Sequence, residues 1–192
     1  MLAMGRWEPD SSGRLQEAAL ALYAERGFDQ TTAAEIAARA GVTERTFFRH
    51  FADKREVLFG GSSLLKEQIV AGVSGAPATD GPLDAVGRGL GAAATMFDEG
   101  RRDLSRVRQS VIAANPELRE RELAKMAAYA AAVAGALRER GVGEGPATIA
   151  AETGMTVLRV SYERWASGDD QRDLATIMRE SMAELRAVAA GG

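Results

Sequence analysis

Arg45, Arg49, His50 and Lys54 crowd around two adjacent phenylalanines, Phe47 and Phe48, in the stretch TTAAEIAARAGVTERTFFRHFADKREVLF, Thr31 to Phe59. Guanidinium, imidazole and ammonium groups at this density suit the binding of anions, above all phosphates. Between Arg39 and Arg55 the chain carries five basic residues (Arg39, Arg45, Arg49, Lys54, Arg55) and two acidic ones (Glu44, Asp53). That is a local charge of +3 on a chain whose net charge is −3. Residues 60–192 carry 16 basic and 18 acidic residues. A basic spot on an acidic chain reads as a small phosphate-facing patch with an acidic body behind it, the bland alternative being chance clustering.

Covalent chemistry is poorly provided for. There is no cysteine, hence no disulfide framework and no thiolate metal site, and the single histidine lies in the basic stretch. No metal-ligand spacing and no phosphate-loop motif occurs. Carboxylates and Tyr23, Tyr129 or Tyr162 are the remaining acid–base candidates, so an all-α enzyme is the weak rival reading. No catalytic residue, metal or cofactor is expected. The 192 residues, 46% hydrophobic and 27% charged, suffice for one domain or two small ones. The opening MLAMGRWEPDSSG has no apolar run long enough for a signal peptide, and no stretch suits a membrane span. A cytoplasmic protein is expected.

The elements that must carry the basic residues are helices. Ser11 or Ser12 can cap a first helix with apolar positions Leu15, Ala18, Ala19, Leu22 and Tyr23, and Gly27 ends it. Thr32 with Glu35 is a capping box for a second helix, Gly41 interrupts, and Thr43 caps a short third. Asp53 with Glu56 predicts the start of a long fourth helix reaching about Val73. Beyond the SGAPATDGP loop, helices are predicted over 83–99, 103–113, 117–140, 147–167 and 171–189, with stops at EGRRD, NP, GVGEGP and SGDD. No segment alternates with period two, so no sheet is expected. The fold class is all-α, with about nine helices.

Helix, glycine turn and short helix make a helix-turn-helix, with Ile36, Ala37 and Phe47 inward, Val42 plugging the turn, and Thr43, Glu44, Arg45, Phe48 and Arg49 outward or sideways. Here the chain resembles the TetR family of bacterial transcriptional repressors, through TTAAEIAARAGVTERTFFRHFADKREVL. The resemblance implies a DNA-binding domain over residues 1–56 and a ligand-binding and dimerisation domain over 57–192. It places Thr31 and Thr32 at a phosphate, where a helix start favours an anion. It places Thr43, Arg45 and Thr46 on the recognition helix. Arg45 is the first choice for base reading, since a guanidinium makes two bonds to guanine O6 and N7. Thr46, His50 and Lys54 look like phosphate contacts. Arg49 is open between phosphate and solvent, and Glu44 is read as excluding some bases. Phe48 departs from the family's usual tyrosine, which removes one phenol contact to phosphate. Phe47 and Phe51 are read as core.

The resemblance further implies a homodimer joined through the last two helices, a palindromic operator as DNA partner, and release by a small, largely apolar effector. The penultimate helix is apolar on two sides, with Met155, Leu158, Tyr162 and Trp165 on one and Ile149, Thr153, Val157 and Val160 on the other. Effector candidates are Met96, Phe97, Arg108, Ile112, Met126, Tyr129, Val133, Met155 and Tyr162. Arg108 lies on the stripe of Leu104, Val107, Val111 and Ile112, where a guanidinium needs an anion. Glu122 and an effector's own anion both remain open as that partner. The passage RVRQSVIAANPELRERELAKM is similar to regulators of this family that sense fatty-acyl or similar apolar molecules, and no effector is named from it. A DNA-binding regulator without an effector is the other alternative.

Overall fold

A computed structural model describes residues 11–168 and 171–191. Among them are nine α-helices, two short 3-10 turns and no strand. They fall into two compact units that divide between Gly60 and Gly61.

In the first unit α1 (Ser11–Arg26) buries Leu15, Ala18, Ala19, Leu22 and Tyr23, the stripe that its spacing predicts. Gly27 ends it at φ +88°, a left-handed conformation in which a Cβ would be strained. α2 (Ala33–Arg39) opens on a complete capping box. Thr32 Oγ1 accepts from the Glu35 amide at 3.3 Å, and the Glu35 carboxylate accepts from the Thr32 amide at 2.9 Å. Gly41, at φ +68°, turns the chain into α3 (Glu44–His50), whose N-cap Thr43 accepts from the Thr46 amide at 3.2 Å. α3 is too short to hold itself in water. Its anchor is Phe47, fully buried and flanked by the Phe51 ring at 5.8 Å. Ile36 and Ala37 of α2 complete this inner face.

The second unit packs α4 (Ser62–Ser74), α5 (Pro82–Ala94), α7 (Pro116–Glu139), α8 (Glu144–Ser167) and α9 (Leu174–Ala189) around one core, with α6 (Arg102–Ala114) laid against α7 and α8. Ile69, Val73, Val86, Leu90, Val133, Leu137, Leu158, Trp165, Ile177 and Met178 are its large buried side chains. Among the described residues no helix is long and apolar enough to cross a membrane.

Several boundaries differ from those predicted. Asp53 does cap, its Oδ1 accepting from the Arg55 and Glu56 amides at 2.7 and 3.1 Å. It opens only a 3-10 turn, Glu56–Phe59, and α4 starts afresh at Ser62. The adjacent Gly60 and Gly61 break the helix, Gly61 at φ +81°. The helix predicted over 83–99 ends at Ala94, so Met96 and Phe97 lie just beyond it, their amides bonded to the Ala93 and Ala94 carbonyls. EGRRD is no stop: Asp98 caps a 3-10 turn, Glu99–Arg101, that runs into α6. α8 begins three residues before the predicted 147, since Pro146 is tolerated in a first turn whose amides need no helical partner. α9 begins at Leu174 because Asp173 accepts from the Thr176 amide at 2.7 Å. The predicted SGDD break lies partly outside the described residues.

Candidate functional site

The outer surface of α3 is where the sequence-predicted contacts converge. Arg45, Thr46, Phe48 and Arg49 line one solvent-open concavity. Arg45 and Arg49 are exposed, and Phe48 is 52% exposed although its ring meets Phe47 edge-on at 5.2 Å. The helix therefore turns one aromatic inward and presents the next beside two guanidiniums. Such a face offers bidentate donors for base edges and an apolar plate for a sugar or a thymine methyl. Thr43 and Thr46 are tied together, their hydroxyls 3.0 Å apart. His50 Nε2 lies 2.7 Å from Ser11 Oγ, which fixes the ring against the start of α1.

Phe48→Tyr is expected to raise DNA affinity by up to about 1 kcal/mol, the contribution of one ordinary hydrogen bond. Equal gains should be seen in titrations of cognate and random duplexes. A tenfold loss instead would mean that the ring sits in an apolar contact.

Three of the expected phosphate contacts have hydrogen-bond partners within the chain. Thr31 is only 1% exposed, and its hydroxyl donates to the Gly27 carbonyl at 2.9 Å, closing the turn after α1. Thr32 is exposed, but its amide and hydroxyl both donate to Glu35, at 2.9 and 2.8 Å. Lys54 Nζ donates to the carbonyls of Phe28, Asp29 and Thr31 at 2.8, 3.3 and 2.9 Å, and lies 4.5 Å from the centre of the Phe28 ring. Three donors thus meet three carbonyls, and Lys54 braces the α1–α2 turn in this geometry. It also precedes a 3-10 turn, not the start of a fourth α-helix.

In the second unit Arg108 does find an internal acid. Its Nη2 donates to Glu122 Oε2 at 2.7 Å, and Lys125 Nζ donates to Glu122 Oε1 at the same distance. The side chains of Arg108, Lys125 and Glu122 are 16%, 14% and 26% exposed. Burial pushes the Glu122 carboxyl up, but the two cations together hold it below its ordinary value. Burial first, and the Arg108 charge second, lower the Lys125 ammonium from 10.5 to about 8, against the pull of Glu122. Tyr129, one turn on, donates to the Ser62 carbonyl at 2.6 Å, with Lys125 Nζ 5.8 Å from its ring centre. Lys125 is the residue missed in the sequence, although its spacing of three from Glu122 was a readable sign.

The Lys125 shift has a sign that can be checked. Above pH 8 the folded chain sheds a proton that the unfolded chain keeps until about 10.5, so stability rises with pH there. Tyr129, its phenol raised mainly by burial, acts oppositely only above about 10. Thermal unfolding between pH 8 and 10 should show this rise in the parent chain relative to Lys125→Met. Parallel profiles would contradict it.

The other effector candidates divide. Phe97 and Tyr162 come together at 5.4 Å, and Trp165 joins them at 5.9 Å from each. Arg102 lies 5.4 Å from the Trp165 ring. Met96 and Met126 are half-buried. Ile112, Tyr129, Val133 and Met155 are buried, the last three within the core. Among the described residues no group of His, Cys, Asp and Glu is placed to hold a metal ion.

Comparison with known proteins agrees with this geometry. Residues 15–59 match the family model described as "Bacterial regulatory proteins, tetR family", and residues 80–190 match "MftR C-terminal domain". Over 165 residues the chain is 27% identical to the "Putative mycofactocin biosynthesis transcriptional regulator MftR" of Mycobacterium tuberculosis, covering 84% of this chain and 83% of that protein. It is 41% identical over 68 residues to the "HTH-type transcriptional regulator TcmR" of Streptomyces glaucescens, a match spanning 35% of this chain and only 30% of that protein. The fold is similar to that of FadR from Bacillus subtilis, solved in complex with stearoyl-CoA, with a TM-score of 0.58 and 21% identity over 89% of this chain and 95% of that one. With both of its units matched by family models, the chain belongs to the TetR family of DNA-binding transcriptional regulators, which are not enzymes.

Proposed function

We propose that this regulator is a cytoplasmic, ligand-responsive repressor that binds a palindromic operator as a homodimer. The observation that carries the reading is the α3 surface, with Arg45 and Arg49 flanking an exposed Phe48 over a fully buried Phe47. Arg45 reads a base, while Arg49, Thr46 and Phe48 meet the backbone beside it. Dimerisation through α8 and α9 is supported by the sides of α8 that its own unit leaves open, with Ile149 69% exposed and Thr153 and Val160 half-buried. Two copies present two α3 helices to successive major grooves. A small, largely apolar effector binds in the second unit, next to half-buried Met96, Phe97, Met126 and Tyr162, and favours a conformation in which the two heads no longer fit the operator. The FadR neighbour with its bound stearoyl-CoA supports a body of this fold as an effector site.

The test is footprinting on the operator selected by the protein from genomic DNA. An inverted repeat with half-sites about one helical turn or more apart is expected. Arg45→Ala should cost about 1–3 kcal/mol on that site and relax one base position per half-site. A footprint lacking symmetry, or an equal loss on random DNA, would reject the dimeric reading or the base-reading role of Arg45 respectively.

A further inference from the structure

The cluster on α6 and α7 is more than an internal neutralisation of Arg108. One carboxylate, Glu122, is shared by two cations, each at 2.7 Å from a different oxygen. Both cations are largely withdrawn from water. At Lys125 the charge of Arg108 opposes the ammonium, while Glu122 favours it by charge and by hydrogen bond. Lys125 satisfies the second oxygen of Glu122, but it leaves two withdrawn cations facing one carboxylate, and burying each charge is costly. Two donors converging on one oxyanion, with the fork of an arginine on one side and an ammonium on the other, is the arrangement that carboxylates and phosphates require. The surroundings are apolar: Ile112 lies one turn beyond Arg108, and Met126 follows Lys125 and packs on the core.

We propose that Arg108 and Lys125 form a headgroup site for an apolar ligand ending in an oxyanion, carboxylate or phosphate, and that this oxyanion replaces Glu122 between them. The proposal rests on the effector reading above and adds the charge of the effector and the residues that hold it. Glu122 is the internal occupant of the site in the absence of ligand. Its displacement perturbs α7 two turns before Tyr129, whose hydroxyl holds the Ser62 carbonyl in the first turn of α4. From Ser62 the chain runs back through Gly61 and Gly60 to the DNA-binding unit.

The test measures binding of dodecanoate, dodecyl phosphate and dodecanol to the full chain by calorimetry, separately from release of DNA. At least one of the two anions should bind about tenfold or more tightly than the neutral alcohol, roughly 1.4 kcal/mol by the affinity relation. Preference for dodecanoate identifies a carboxylate ligand, and preference for dodecyl phosphate a phosphate ligand. Glu122→Gln removes the internal competitor, so it should tighten the preferred anion several-fold and leave dodecanol unchanged. Lys125→Gln, which keeps a donor for Glu122, should bring the anion down to the level of the alcohol. That second variant decides the matter if Glu122→Gln does not fold. Equal binding of all three probes, no anion binding to the parent chain, or full anion preference in Lys125→Gln overturns the proposal. Anion preference with no release of DNA leaves the headgroup site standing and rejects the effector reading instead.

Discussion

Lys54→Met is expected to destabilise the first unit by about 2–3 kcal/mol, the scale for hydrogen bonds made by a charged group. Its ammonium holds the carbonyls of Phe28, Asp29 and Thr31, while its own carbonyl accepts from the Tyr23 hydroxyl at 2.6 Å. One residue thus ties α1, the turn into α2 and the segment after α3. Methionine keeps an apolar stem beside the Phe28 ring but donates nothing, so the three carbonyls must turn to water or stay unsatisfied. Recognition would suffer because the turn that sets α1 against α2 loosens. The measurement is thermal or urea unfolding of Lys54→Met beside its binding of random DNA at several salt concentrations. A bracing residue lowers the unfolding midpoint. A phosphate-binding residue leaves the midpoint unchanged and flattens the salt dependence, because one fewer counterion is released. That second outcome would return Lys54 to the role that the family resemblance implies.

Local rules made much of the first unit legible. The Thr32–Glu35 box and the Thr43 cap are interactions over three residues, and the glycines at 27 and 41 stand where the chain needs φ above zero. The same kind of rule failed at Asp53, which has a capping box's spacing but is followed too soon by Gly60 and Gly61. Two glycines together were the readable signal, outweighed by the apolar run on either side. Thr31 and Lys54 show a different limit. Their partners are carbonyls, present at every residue, so no side-chain pattern announces them. The need of Arg108 for an anion was legible because a guanidinium on an apolar stripe demands one, but the choice of Glu122 over an effector's anion needed the packing of α6 on α7. Lys125 escaped because a lysine on a helix is usually solvated. Only the packing of α6 against α7 makes it half of a two-cation site.

The crossing of α4 and α5 was not legible at all, and it yields a prediction of opposite signs on one helix. Gly72 and Gly89 bring the two backbones into contact. A Cβ on Gly72 would lie 2.7 Å from the Gly89 Cα, and one on Gly89 would lie 2.5 Å from the Ile69 carbonyl oxygen and 2.8 Å from Val73 Cγ2. Those neighbours are backbone and a branched core side chain, so neither yields cheaply. Gly91, two residues on in α5, has nothing within 4 Å of the Cβ position. In a helix interior alanine is favoured over glycine by about 1 kcal/mol. Gly91→Ala should therefore stabilise the protein by up to that amount. Gly89→Ala receives the same helical gain but must push α5 away from α4, and overpacking of a core costs about 1–3 kcal/mol. The net effect there is expected to be a loss, greater still for Gly89→Val. Because α4 leads directly to the DNA-binding unit, the displaced crossing should also change operator affinity in Gly89→Ala and leave it unchanged in Gly91→Ala. Urea unfolding of the two variants side by side is the decisive comparison. If both gain stability, the helices are not in backbone contact and the crossing is looser than the glycine pair implies.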